Sequence, residues 1–250
     1  AGDGEDVVSI LDMKADLDDK ILKIGEKISI RRFEKVTADV VASYIHGGGR
    51  IGVLVAGNGA SDDAAKEALT NIAMQIAAMN PQYISRDEIS ADELAKMKEI
   101  TIDSALNDPF SLPKPVLSKL IEKAVAGVWS AEDVAIYEEK KSNMNFLPNF
   151  LSKEAKAQLA EIACADKEEI SGNKIFSGLV EGRISKQMKE ICLLDQGYVK
   201  AEDGKQTVAA YLKSVNPALK IAKFVRFEVG EGMEKKNEDF AAEVAKQMNV

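Results

Sequence analysis

The sequence is poor in the residues that most often carry chemistry: 250 residues hold one histidine, two cysteines and one tryptophan. The cysteines, Cys164 and Cys192, read as lying in apolar helical surroundings without Cys-x-x-Cys spacing, so neither a zinc site nor a disulfide framework is signalled and a reducing compartment fits. With one imidazole and no paired thiols, only carboxylates remain for a metal. The clusters Asp18-Asp19, Asp62-Asp63 and Glu168-Glu169 are scattered and read as solvated helix faces, so no metal or other cofactor is expected. No apolar run reaches the roughly 18 residues that span a bilayer. The opening Ala1-Gly2-Asp3-Gly4-Glu5-Asp6 is acidic where a secretory signal is basic. The chain also starts without methionine, which hints at a part upstream. What is present is globular composition: 46% hydrophobic, 30% charged, with 33 basic against 41 acidic side chains for a net charge of −8. That sign disfavours sequence-independent nucleic-acid binding, and the length allows one large domain or two small ones.

Residues 5 to 27, with Ile28 just beyond, carry Val7, Ile10, Leu17, Ile21, Ile24 and Ile28 at helical spacing, with acids early and lysines late. Ile28 to Val36 predicts a strand with a parity slip at Arg31-Arg32. Two apolar runs, Val40 to Ile45 and Ile51 to Ala56, flank His46-Gly47-Gly48-Gly49-Arg50 and predict a β-hairpin whose glycines supply positive φ. Ser61 is placed to cap a helix with its seam at Ala65, Leu69, Ile72, Ile76 and Met79, ended by Asn80-Pro81. From 84 to 176 helical segments predominate, with caps at Ser90, Ser130 and Ser152. Beyond, Ile175 to Met188 reads as helix, Ile191 to Val199 as extended, Thr207 as the cap of a short helix, and Ile221 to Val229 as a strand. A last amphipathic helix carries Phe240, Val244 and Met248. Strands near both ends with helices between predict an α+β fold: an antiparallel sheet of three to four strands packed with helices, interrupted by a large all-helical insertion. Residues 1–83 and 177–250 then form one discontinuous core subdomain, and 84–176 the insertion.

Few constellations survive as active sites. His46-Gly47-Gly48-Gly49 spells a backbone oxyanion-hole motif of some lipases, yet no Gly-x-Ser-x-Gly elbow exists and the single histidine cannot also serve a triad. Gly57-Asn58-Gly59-Ala60-Ser61-Asp62 imitates a dinucleotide-binding turn, but Asp62 stands where the third glycine belongs and Asp62-Asp63 repel a pyrophosphate. No Gly-x-x-x-x-Gly-Lys-Ser/Thr occurs. The basic pairs Arg31-Arg32, Lys140-Lys141 and Lys235-Lys236 lack interleaved aromatics for stacking on bases. A glycine-lined turn carrying the sole imidazole points to a recognition surface more than to an active site.

Ile24-Gly25-Glu26-Lys27-Ile28-Ser29-Ile30-Arg31-Arg32-Phe33, then Ser43-Tyr44-Ile45-His46-Gly47-Gly48-Gly49-Arg50-Ile51-Gly52-Val53-Leu54-Val55, strongly resemble the translation elongation factor Ts family. So do Val180-Glu181-Gly182-Arg183 and Phe224-Val225-Arg226-Phe227-Glu228-Val229-Gly230-Glu231-Gly232-Met233-Glu234-Lys235 with Asp239 to Val244. The resemblance covers roughly 17–83 and 176–250. It implies a guanine nucleotide exchange factor that binds the GTPase elongation factor Tu and promotes GDP release without bond chemistry. It also implies a bacterial cytoplasmic or organelle-matrix location and no direct contact with nucleic acid or membrane. Carried over by position, it implies GTPase contacts at Ile24 and Gly25, at His46 and Gly47 of the hairpin, and at Val199, beside which Lys200 departs from an often apolar position. The same residues have plainer readings: Gly25 ends a helix, His46 bonds its turn, Val199 packs. Two departures matter. The family's N-terminal helical module and Thr-Asp-Phe-Val segment have no counterpart in these 250 residues, so weak binding and poor exchange are expected of a chain that looks like the C-terminal part. The insertion far exceeds the short helical hairpin through which some members dimerise, so a homodimer through it, or an interaction module without exchange activity, is the alternative.

Overall fold

The computed structural model describes residues 2–3, 12–202 and 204–232. Two short strands, β1 (Gly2–Asp3) and β2 (Arg32–Phe33), pair antiparallel, and helix α1 (Lys14–Ile24) lies between them in sequence. Leu17 and Ile21 are half-buried and no residue of α1 is buried; its i,i+4 pairs Lys14–Asp18 (3.6 Å) and Lys23–Asp19 (2.6 Å) suit an exposed helix. Gly25 closes it at φ 78°, its N–H donating to Ile21 O at 2.8 Å. The expected helical residues 5 to 11 lie outside the described residues. Of the strand expected over Ile28 to Val36, Arg32–Phe33 joins a ladder among the described residues, paired with Gly2–Asp3. The parity slip is present: Ile28 and Ile30 are half-buried, then Phe33.

The glycine run turns a hairpin of β3 (Val40–His46) and β4 (Ile51–Asn58), paired from Val40↔Gly57 to His46↔Ile51. Strand β5 (Lys220–Glu228) adds antiparallel to β4, giving the order β3-β4-β5. The register slips between Ala56 and Gly57, a bulge in the β4–β5 ladder, and none of the β5 side chains is fully buried. Val229 falls just past the strand, its N–H on Arg50 O at 2.9 Å. Helix α2 (Asp63–Met79) covers the face carrying Val40, Ala42, Val53 and Val55 with Ala65, Leu69, Ile72 and Ile76. Met79, expected on that seam, is 46% exposed at the helix end. Asp62, not Ser61, caps α2, its carboxylate accepting Ala65 N–H at 2.7 Å; with the helix starting at Asp63, Asp62 is the neighbour that reaches the third helical amide. Asn80 ends the helix at φ 46°, ψ 55° before Pro81.

The described residues divide into two compact units, one of 2–3, 12–80, 198–202 and 208–232, the other of 81–197 and 204–207. The second unit is helical: α3 (Ala91–Asn107), α4 (Lys114–Val125), α5 (Ala131–Lys140), α6 (Lys153–Ala165), α7 (Lys167–Ser171) and α8 (Lys174–Ile191). Its core takes Leu106 from α3, Leu120 and Ile121 from α4, Leu159 from α6 and Phe176, Val180 and Ile184 from α8. Ser90 forms a full capping box with Glu93, and Ser130 and Ser152 cap α5 and α6. Cys192 is buried, whereas Cys164 is exposed on α6, contrary to its expected apolar setting: Leu159 and Ala163 occupy the inward face there. Ile191 to Val199 is not extended throughout. Leu193 and Leu194 donate to Tyr83 O and Ile84 O, but Asp195 and Gln196 turn back on Cys192 O at 3.0 and 3.2 Å. Helix α9 (Val208–Val215), in the first unit, packs Val208 and Leu212 inward. The expected helix with Phe240, Val244 and Met248 lies outside the described residues. Among described residues no helix is long and apolar enough to cross a membrane.

Candidate functional site

The first unit carries all five singled-out positions, on three different elements. Ile24, 58% exposed, and Gly25 lie at the free end of α1. An added Cβ at Gly25 would meet nothing within 4 Å, so its requirement is backbone: positive φ where the helix stops.

His46 and Gly47 lie at the hairpin tip. Gly47, Gly48 and Gly49 take φ of 61°, 66° and 99°, three successive left-handed residues that only glycine adopts without strain, and the loop closes by Gly49 and Arg50 N–H groups donating to His46 O at 3.2 and 3.0 Å. The His46 side chain is exposed; its Nδ1 lies 3.0 Å from Tyr44 Oη, with the rings 5.9 Å apart. Pairing puts His46, Ile51 and Glu228 in one row across the sheet and Tyr44, Val53 and Arg226 in the next, on the face that α2 covers further along. Arg226 bonds Glu228 at 2.7 Å, and among the described residues its buried Nε has no hydrogen-bond partner. The tip therefore shows an imidazole and a guanidinium–carboxylate pair on one face: a polar recognition surface lacking a nucleophile–base pair.

Val199 lies on a loop held from beneath by α2. Val199 is 49% exposed while its N–H donates to Oε1 of Gln75 at 2.8 Å, and Gln75 is fully buried. One turn earlier on α2, Asn71 Nδ2 donates to Tyr211 Oη at 2.8 Å and Asn71 Oδ1 accepts from Lys200 Nζ at 2.7 Å. Tyr198, 8% exposed, stacks on Tyr211 with centroids 4.1 Å apart. Burial, then the bond to Tyr211, pushes the Tyr198 hydroxyl pKa well above its usual value. Sequence reasoning missed Asn71, Gln75, Tyr198 and Tyr211. The available signal was a polar pair four residues apart beside the seam residues Ile72 and Ile76.

The opposite face of the sheet carries a groove of about 170 Å³ lined by Ile45, Leu54, Val225 and Phe227, with Glu34 at its edge. Arg32 lies over the Phe227 ring at 4.5 Å and bonds Glu231 at 2.8 Å; Lys223 bonds Glu34 at 2.9 Å, and that bond holds the Glu34 carboxyl below its usual pKa. Among described residues no group of three or more His, Cys, Asp or Glu side chains is placed to hold a metal ion.

The family model described as Elongation factor TS matches residues 7–140 and 142–231. The chain is similar to Elongation factor Ts of Clostridioides difficile (strain 630), 36% identical over 260 residues, covering 99% of this chain and 66% of that protein. It is also similar to Elongation factor Ts of Clostridium botulinum (strain Eklund 17B / Type B), 36% identical, covering 91% of this chain and 57% of that one. For Elongation factor Ts of Halothermothrix orenii (strain H 168 / OCM 544 / DSM 9562) the identity is 35%, with 95% of this chain and 58% of that protein covered. The chain thus spans 57% to 66% of the length of these relatives. With a family match running through both units, the chain belongs to the elongation factor Ts family.

Proposed function

We propose that this chain binds the GTPase elongation factor Tu and promotes release of its GDP, by protein contact and without bond chemistry. The family match over nearly the whole described chain carries the reading. The exposure of Ile24, Gly25, His46, Gly47 and Val199 supports it, since a contact set must be free to meet a partner. The mechanism is linkage. A partner that binds the nucleotide-free GTPase more tightly than the GDP-loaded one weakens GDP affinity by the same factor. The place of action is then the compartment of translation, cytoplasm or organelle matrix.

Titration of this chain against the GTPase, loaded with GDP and then stripped of it, tests the reading. Tighter binding to the stripped form, by about tenfold or more, is expected. Equal affinity for both forms, or none for either, overturns it. A second reading, self-association through the helical unit, is favoured by Phe146 and Phe150, which are 58% and 51% exposed. Light scattering of the whole chain decides it: a dimer mass that a Phe146→Ser, Phe150→Ser chain loses supports it, and a monomer mass refutes it.

A further inference from the structure

We propose that Gln75 is the positioning residue of the Val199 contact, and that with Asn71 and the Tyr198–Tyr211 stack it sets the 198–200 loop in its binding-ready shape. The inference rests on the reading above that Val199 meets the GTPase. Gln75 occupies an unusual place: a glutamine with no exposed surface, beside the apolar seam of α2 that covers the sheet. Burying an amide costs free energy unless its polar atoms are bonded, so the buried Oε1 of Gln75 calls for a donor. Val199 supplies that donor at 2.8 Å, which ties the loop to α2 by its main chain and leaves the Val199 side chain half in solvent.

Neighbouring contacts remove the remaining freedom of the loop. Tyr198 is stacked inward on Tyr211, Asn71 bonds the Tyr211 hydroxyl, and Lys200 bonds Asn71 in turn. The residues on either side of Val199 are thus both anchored to α2 or α9, and Val199 is the apolar side chain left to a partner. An exposed valine on a mobile loop loses entropy on binding; one fixed beforehand does not. Gln75 is never in the contact itself and acts only through Val199.

A double-mutant cycle with the GDP-stripped GTPase tests this. Gln75→Met keeps length and fits the apolar face but lacks the acceptor oxygen. It is expected to weaken binding about fivefold, and Val199→Ala about tenfold. The double variant is expected to be no weaker than Val199→Ala alone, because one effect runs through the other. Tyr211→Phe keeps the ring stack and loses the Asn71 bond; a loss of about threefold, again absent in the Val199→Ala background, is expected. Without any partner, hydrogen exchange at the Val199 amide should quicken about tenfold in Gln75→Met. Additive losses, an unchanged exchange rate, or a Gln75→Met chain that binds as the wild type does overturn the inference while the functional reading stands. A wild-type chain that fails to bind the stripped GTPase overturns both.

Discussion

Replacing Asp133 by alanine should lower the unfolding midpoint of the helical unit by about 10 °C. Asp133 is 6% exposed, and its carboxylate accepts from Ser130 Oγ at 2.8 Å, from Ser152 Oγ at 2.9 Å and from Ser152 N–H at 2.9 Å. Those serines cap α5 and α6, so one carboxylate fastens two helix starts to each other. Three bonds to a charged acceptor, each worth about 1.5 kcal/mol or more net, are offset in part by the cost of burying the carboxylate and by water that replaces them at exposed Ser152, leaving a loss of about 2–3 kcal/mol. At roughly 4 °C per kcal/mol for a unit of this size, that gives the stated shift. The assay is intrinsic fluorescence, because the single tryptophan, Trp129, is buried in the same unit with its Nε1–H on Ala155 O at 2.9 Å. The pH dependence carries a second check. Burial pushes the Asp133 carboxyl up, but its bonds to Ser152 and Ser130 outweigh that and hold its pKa below the ordinary value. The folded state therefore takes up its proton less readily than the unfolded chain. Its stabilisation is full above about pH 4 and is lost as pH falls through the lowered folded value. The difference between wild type and Asp133→Ala should be flat above that range and shrink below it. A shift under about 2 °C, or a difference that grows toward acid, would refute the two-cap account.

Glycine positions divide sharply. A Cβ at Gly59 would overlap the carbonyl oxygen of Ala218, whereas one at Gly48 meets nothing within 4 Å, although both have positive φ. Gly59→Ala should cost about 3 kcal/mol or more and Gly48→Ala about 1 kcal/mol in denaturant titrations; equal costs would contradict the close approach. Arg32→Ala removes the pair with Glu231 and the cation over Phe227, so a loss of about 1 kcal/mol that shrinks with added salt is expected, and a salt-independent loss would deny the charge a part. His46→Ala should leave the unfolding midpoint unchanged, because the ring is exposed, and weaken binding to the stripped GTPase about tenfold; full affinity would remove His46 from the contact set.

Legibility in the sequence followed the locality of the physics. The hairpin could be read because three successive glycines between apolar runs have few other uses than a tight positive-φ return, and Gly47, Gly48 and Gly49 adopt it. The caps at Ser90, Ser130 and Ser152 could be read because each depends on atoms three residues apart. Failures came where two local answers competed or a distant segment decided. Ser61 and Asp62 are both capable caps, and the start of α2 at Asp63 selects the second. Ile28 to Val36 has strand composition, but a ladder needs a partner, and among the described residues Gly2 and Asp3 pair with Phe33 and Arg32. Ile191 to Val199 resembles a strand until Asp195 and Gln196 turn back on Cys192, while Tyr83 and Ile84, more than a hundred positions earlier, take the amides of Leu193 and Leu194.

The candidate site was half legible for a related reason. Periodicity weighs apolar residues, and on α2 it found Leu69, Ile72 and Ile76, which face the sheet. Asn71 and Gln75 form a parallel row one residue back, also four apart, and periodicity treats such a row as the solvated side. Their burial follows from what arrives there: a loop must bring backbone N–H groups that need acceptors, and aromatic hydroxyls that need donors. A polar i,i+4 pair beside an apolar seam is thus a signal for an incoming loop. It distinguishes itself from a solvated stripe by holding amides, each of which carries both a donor and an acceptor without a charge to desolvate. On this argument the exposed Val199 and the buried Gln75 are one feature seen from two sides. The second side becomes visible only when residues 124 positions apart are brought together.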